Sequence, residues 1–191
     1  MTVTTVDTQS LTAEAAAVLA AMPGVSYETF LAEAPSLPGV VAVVADDAAR
    51  AALGLPAQHT GLLAVTAAPH GLRDRDVRVA FQSGRTGASP LRQGLAALLA
   101  GELGLDVERT SPGAAGAGFT LTPESEQTLT AWMREHLTLR AWVAQDASAL
   151  EGVAREVAAD LAPALQPGAL EAPVAQRVAA MRASARRSAT L

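Results

Sequence analysis

The sequence predicts an α+β fold in which a small sheet is outnumbered by helices. Three short runs have strand character, and about seven stretches carry helical spacing or helix-start signals around them. No internal repeat and no clear compositional break divides the chain. Three strands among that many helices imply a small sheet that must be covered by helical layers.

Taken in order, residues 10–21 (SLTAEAAAVLAA) form an Ala-rich helix that Pro23-Gly24 stops. Ser26 is placed to cap a short helix holding Tyr27, Phe30 and Leu31, which ends before Pro35. Gly39 to Ala45 (GVVAVVA) is a continuous apolar run between turn signals, hence a buried strand. Asp46 caps a helix through Leu53, closed by Gly54 and Pro56. Gly61 to Ala67 (GLLAVTA) is a second strand, and residues 71–80 (GLRDRDVRVA) begin as a charged helix. Gln82 to Ala88 is loop, and Ser89-Pro90 opens a helix carrying Leu91, Leu95, Leu98 and Leu99 up to Gly104.

The segment 111–118 (SPGAAGAG) reads as a flexible turn. Thr122-Pro123 then opens the best helix, with Leu129, Trp132, Met133, His136 and Leu137 on one stripe. Leu139 to Val143 is a short third strand. Asp146 is expected to cap a helix to Leu161, stopped by Pro163 and Pro167, and a last helix runs over roughly 171–187. The organisation is an N-terminal helical segment (1–37), a central domain (38–170) and a basic C-terminal helix or tail (171–191).

Half of the 191 residues are hydrophobic, but 44 are Ala; Leu, Val, Met and the aromatics together number 51. Burying a Leu- or Val-sized side chain is worth roughly 1.5–3 kcal/mol, so the chain can build an aliphatic core and is not disordered throughout. Lys, Asn, Ile and Cys are absent. Three of these have AT-rich codons, so a GC-rich coding bias explains the all-Arg basic set without invoking phosphate recognition. Zero Cys excludes disulfides, thiolate zinc sites and Cys nucleophiles. His59, His70 and His136 lack metal-site spacing, and no cofactor is expected.

The start MTVTTVDTQS has neither a basic segment nor an apolar stretch, so no signal peptide is expected. No run approaches the ~20 apolar residues of a membrane span, and a soluble, cytoplasmic protein without a membrane partner is the expectation. The net charge of −5 argues mildly against a general nucleic-acid coat.

Several segments resemble, in order, the GIY-YIG endonuclease superfamily. They are most similar to a bacterial branch with a longer insertion between the two motif strands. The carrying segments are Pro38-Gly-Val-Val-Ala42, Gly61-Leu-Leu-Ala-Val-Thr66, Leu72-Arg-Asp-Arg75 and Pro90 through Leu99. Further on come Leu121-Thr-Pro-Glu-Ser-Glu126, Leu129-Thr-Ala-Trp-Met-Arg-Glu-His-Leu137 and Ala149 through Gln166. They span 38–166, about two thirds of the chain. The resemblance implies a three-stranded antiparallel sheet flanked by helices, with added N- and C-terminal helices here. It also implies hydrolysis in which a helix Glu holds one divalent cation, strand tyrosines orient the attacking water and an Arg stabilises phosphate charge.

Carried over position by position, the first-motif Tyr falls on Val41. The second-motif Tyr falls on Ala64 and its Gly on Thr66. The Arg falls on Arg75, the metal-binding Glu on Ala154, and the closing Asn on Gln166. A divalent ion needs hard oxygen ligands, and neither Val41, Ala64 nor Ala154 supplies one or relays a proton. Only the Arg survives, and the site reads as dead. Glu151, one turn before Ala154 on the same helix face, is the candidate for a shifted metal ligand; Glu156 points elsewhere.

Other charges have two readings each. Arg73, Arg75 and Arg78 alternate with Asp74 and Asp76, either as a remnant phosphate contact or as a self-paired exposed segment. From Ala172 onward the chain carries Arg177, Arg182, Arg186 and Arg187 and no acid. That tail marks either contact with nucleic acid or an acidic partner, or docking onto the chain's own acidic body or a twin subunit. Trp132 and Trp142 read as core anchors, and His136 as a boundary residue with one satisfied hydrogen bond. The functional expectation is a catalytically inactive GIY-YIG-like binding or scaffolding module, with DNA in repair or genome maintenance, held weakly and salt-dependently, as the partner class. The alternatives are a divergent metal-dependent endonuclease using Glu151 and Arg75, and a homo-oligomeric structural or interaction protein.

Overall fold

The computed structural model describes residues 8–73, 75–108, 119–166, 168 and 170–187, without the side chains of Arg75, Asp76, Arg186 and Arg187. The expected turn at 111–118 and the expected stop at Pro167 lie outside the described residues. Three strands form one antiparallel sheet, with β1 (Gly39–Ala45) between β2 (Leu62–Ala68) and β3 (Leu137–Val143). Every residue of β1 is buried, as its unbroken apolar run requires, because helices cover both faces of the central strand. Val41, Val43 and Ala45 face one core cluster; Val40, Ala42 and Val44 face the other. The chain is therefore an α+β protein with a small open sheet.

Eight α-helices surround the sheet among the described residues: α1 (Thr8–Ala21), α2 (Tyr27–Glu33), α3 (Asp47–Ala52), α4 (Arg75–Ala80), α5 (Pro90–Leu103), α6 (Pro123–His136), α7 (Leu150–Leu161) and α8 (Ala172–Arg187). Four start where side-chain chemistry says they should. Ser26, Asp46, Ser89 and Thr122 each accept a hydrogen bond from the backbone N–H three residues on. The stripe on α6 is core: Leu129, Trp132, Met133 and Leu137 are buried. Helices α1 and α7 pack together on one face of the sheet, while α8 docks on α5 through Val178, Met181 and Ala185. No described helix is long and apolar enough to cross a membrane.

Several boundaries differ from expectation. Strand β2 starts at Leu62 and not Gly61, because Gly61 sits at φ 81° in the turn. A Cβ there would stand 2.6 Å from the Ala45 carbonyl oxygen, so only glycine fits. Strand β3 starts at Leu137, two residues early: Leu137 closes the α6 stripe and already has extended geometry (φ −111°, ψ 139°). Residues 71–80 reverse the expected order. The first part is turn, fixed by Leu72 N–H on the Leu37 carbonyl, and the helix forms only from Arg75. The loop before α5 contains a 3-10 turn at Thr86–Ala88. Asp146 does not cap α7; its carboxylate is spent on the N–H and hydroxyl of Ser148, and Ala149 caps the helix without a side-chain bond.

Candidate functional site

Five of the six positions that the family resemblance marks converge in space; the sixth, Arg75, has a side chain outside the described residues. Val41, Ala64, Thr66, Ala154 and Gln166 all line one cleft of about 480 Å³, together with Glu151. Strand pairing explains the first three: Val41 on β1 is paired with Thr66 on β2, and Ala64 lies two residues from Thr66 on the same face. Thr66 is the one exposed position in an otherwise buried β2 strand, because the cleft opens above it. Ala154 is buried in the middle of α7, which packs along β2. The far walls come from Val77 on α4, from Phe81 just after it, and from the start of α5.

Gln166 has a structural task of its own. Its Nε2 donates to the Val65 carbonyl at 3.0 Å, and Val65 N–H donates to its Oε1 at 2.9 Å. Beside it, Ala164 and Leu165 N–H groups donate to the Leu62 and Leu63 carbonyls. The segment after α7 thereby covers the free edge of β2, which would otherwise present unpaired backbone groups.

The chemistry available in this cleft is narrow. Its walls are mostly apolar, and the Thr66 hydroxyl makes a long 3.4 Å bond to the adjacent Ala67 carbonyl. A metal-ion nuclease centre needs carboxylate oxygens converging on one point. Ala154 supplies none, and no group of three His, Asp or Glu among the described residues is arranged to hold a metal. The residues present do not fit the cation that the resemblance implies. Among the described residues the cleft does hold two charged groups, Glu151 and Arg155, both exposed on α7. Neither forms a hydrogen bond or ion pair among the described residues. Glu156 is engaged elsewhere, accepting from the Thr12 hydroxyl at 2.8 Å and so tying α1 to α7.

The candidate nucleic-acid arginines are divided between two surfaces. Arg73 donates through Nε to the Ala34 carbonyl and through Nη2 to the Ala32 carbonyl, closing the C-terminal end of α2. With the exposed Arg78, His70 and Gln82 it lines a polar hollow of about 450 Å³. Arg75 begins α4, but its side chain lies outside the described residues. On α8, Arg177 is exposed while Arg182 is half-buried, with Nη2 2.8 Å from Gln93 Oε1. The side chains of Arg186 and Arg187 also lie outside the described residues. The basic helix thus docks on its own domain.

Two polar clusters away from the cleft explain other residues. Arg92 is completely buried and ion-paired to buried Glu126 at 2.6 Å. It also donates to the Thr86 and Thr130 hydroxyls and the Ala80 carbonyl, while Glu126 accepts from the Gly84 and Thr86 N–H groups. Burial pulls the Arg92 guanidinium below its ordinary range, against the opposing pull of Glu126. The sequence reading missed this pair; an Arg inside the apolar run of α5 was its only signal. The second cluster joins His136 Nδ1 to Asp46 Oδ2 at 3.1 Å, satisfying the boundary His. Burial by itself would raise the Asp46 carboxyl, but the Ala49 N–H and the His136 ring outweigh it and hold the group below the usual carboxylate range. Trp132 and Trp142 are both buried, as expected of core anchors. Compared with known proteins, the chain matches no family model, no curated protein and no solved structure.

Proposed function

We propose that this chain is a non-hydrolytic binding module of GIY-YIG-like architecture, whose cleft receives a ligand and does not cut one. The observation that carries this is the convergence of Val41, Ala64, Thr66, Ala154 and Gln166 on one cleft. Positions picked only for their resemblance to catalytic ones are neighbours in space, and none carries the phenol or carboxylate that hydrolysis needs. The test is to incubate the purified chain with plasmid and branched DNA in Mg²⁺ and in Mn²⁺. The expected result is intact DNA; stoichiometric nicking that disappears in Glu151→Ala would overturn the proposal.

One observation favours a second reading, a divergent metal-dependent endonuclease. Glu151 lines the same cleft and has no partner among the described residues, so its carboxylate is available to a cation. Arg75 would then be the phosphate-stabilising group. DNA as the partner of the non-hydrolytic module rests on the exposed Arg78 and Arg177 and on the remaining α8 arginines. Each neutralised phosphate contributes about −0.9 to the log–log salt slope on duplex DNA. The hydrogen bond from Arg182 to the neutral Gln93 amide leaves its charge in place, so the four tail arginines allow a slope no steeper than roughly −3.6 from that helix.

A further inference from the structure

The cleft carries a charge balance that nuclease-like chemistry does not use. Among the described residues its charged lining groups are one carboxylate, Glu151, and one guanidinium, Arg155, four residues apart on α7. Glu followed by Arg at this spacing is the orientation that ordinarily pairs on a helix surface, yet here the two are not bridged. The guanidinium instead lies back along its own helix, with Nη2 3.9 Å from where a Cβ on Gly152 would stand. Two other polar side chains at the cleft are already engaged. Gln166 is bonded to Val65, and the Ser89 hydroxyl accepts from Arg92 N–H at the start of α5. What remains among the described residues is an apolar chamber walled by Val41, Val43, Val77 and Phe81, with the weakly held Thr66 hydroxyl on β2 and one free charged acceptor and one free charged donor at its α7 side.

The formal charges of +1 and −1 on these two groups cancel, so together they give a multiply charged phosphate chain no net Coulombic gain. An apolar body does gain, because its surface leaves water against aliphatic walls. A head group that holds a donor beside an acceptor satisfies Glu151 and Arg155 together without stranding either charge. The volume, about 480 Å³, lies within the roughly 300–1,000 Å³ of small-molecule sites. We infer that the cleft binds a small, predominantly apolar molecule of no net charge, its head group donating to Glu151 and accepting from Arg155. This rests on the cleft being a binding site and not a hydrolytic one. DNA cleavage by the wild type would sink that reading, whereas the experiment below can fail and leave it standing.

The test uses the full chain and two fluorescent probes: uncharged Nile red and the monoanion 1-anilinonaphthalene-8-sulfonate. Thr66→Phe fills the cleft from an exposed strand position and disturbs no core contact; Ala154→Leu fills it from α7. Leu37→Ser is the control, since Leu37 is the most exposed large apolar residue among those described and lies outside the cleft. Nile red is expected to saturate at one molecule per chain and to bind about tenfold more weakly in each cleft variant. Leu37→Ser should leave it unchanged, and the anion should bind more weakly than Nile red. Thermal melts establish that each variant is folded, and Thr66→Phe carries the test alone where Ala154→Leu does not fold. The inference is overturned by an absence of saturable Nile red binding. It is equally overturned by unchanged affinity in folded cleft variants, or by loss in Leu37→Ser alone. Tighter binding of the anion that disappears in Arg155→Gln would replace the neutral ligand with an anionic one.

Discussion

Two ion-capable regions of this protein handle charge in opposite ways. Around Arg92 and Glu126 the charges are fully buried, and the polar partners of both groups come from the chain itself. In the cleft, Glu151 and Arg155 are exposed, unpaired among the described residues and set beside an apolar void. The first arrangement leaves no capacity for a ligand and serves to fix the loop between α4 and α5 onto α6. The second leaves donor and acceptor capacity unspent next to space that a molecule can enter. Satisfied polar groups hold structure, and unsatisfied ones beside a cavity are where binding is to be sought.

The largest expected effect breaks the buried side of this contrast. Glu126→Ala strands the Arg92 guanidinium without its partner and should cost about 3–5 kcal/mol in denaturant melts. Replacing both together, as Arg92→Met with Glu126→Leu, should cost far less than the single change, because no charge is then left buried alone. Trp132→Ala, which empties the α6 stripe, should cost a similar 3–5 kcal/mol. A loss under roughly 1 kcal/mol, the size of surface changes, would show the stripe faces solvent or a partner. By contrast, Glu151→Ala and Arg155→Ala should each stay within about 0.5 kcal/mol of wild type.

Smaller effects sharpen the account of the supporting shell. Gln166→Ala removes two hydrogen bonds from the β2 edge and should cost about 1–3 kcal/mol, since each bond contributes roughly 0.5–1.5 kcal/mol. Asp46→Ala removes the α3 cap and should cost about 1 kcal/mol. The Asp46 carboxyl titrates lower in the folded chain than unfolded. Its ionised form therefore contributes stability above the unfolded value of about 3.9, and that contribution is lost as pH falls through the lower folded value. The stability gap between wild type and Asp46→Asn, measured by melts across acidic pH, should close below about pH 4. A gap that persists unchanged to lower pH would mean the charge contributes nothing.

Local features of this fold were legible because they depend on residues close in sequence. The caps Ser26, Asp46, Ser89 and Thr122 each act three positions ahead, and β1 follows from one apolar run. Where a nearer partner competed, the reading failed: Asp146 bonds Ser148 before it can reach α7. Long-range polar pairs were out of reach. Arg92 and Glu126 are 34 residues apart, and Gln166 lies 101 from Val65. For the candidate site, the resemblance marks positions that fall together, but the void between them was not legible. A cavity depends on what several distant side chains fail to fill, and no spacing in the sequence records that. The role of Arg73 as a helix-closing group was hidden for the same reason, since its carbonyl partners belong to α2.

We propose that the cleft holds no hydrolytic metal ion and binds a ligand without cutting it. Titration of the full chain with Mn²⁺, followed by electron paramagnetic resonance, tests it most directly, with Glu151→Ala measured alongside. The account predicts no saturable Mn²⁺ site in either protein, and identical traces for the two. One Mn²⁺ bound per wild-type chain and released by Glu151→Ala would contradict it, and would make Glu151 the ligand of a working metal centre.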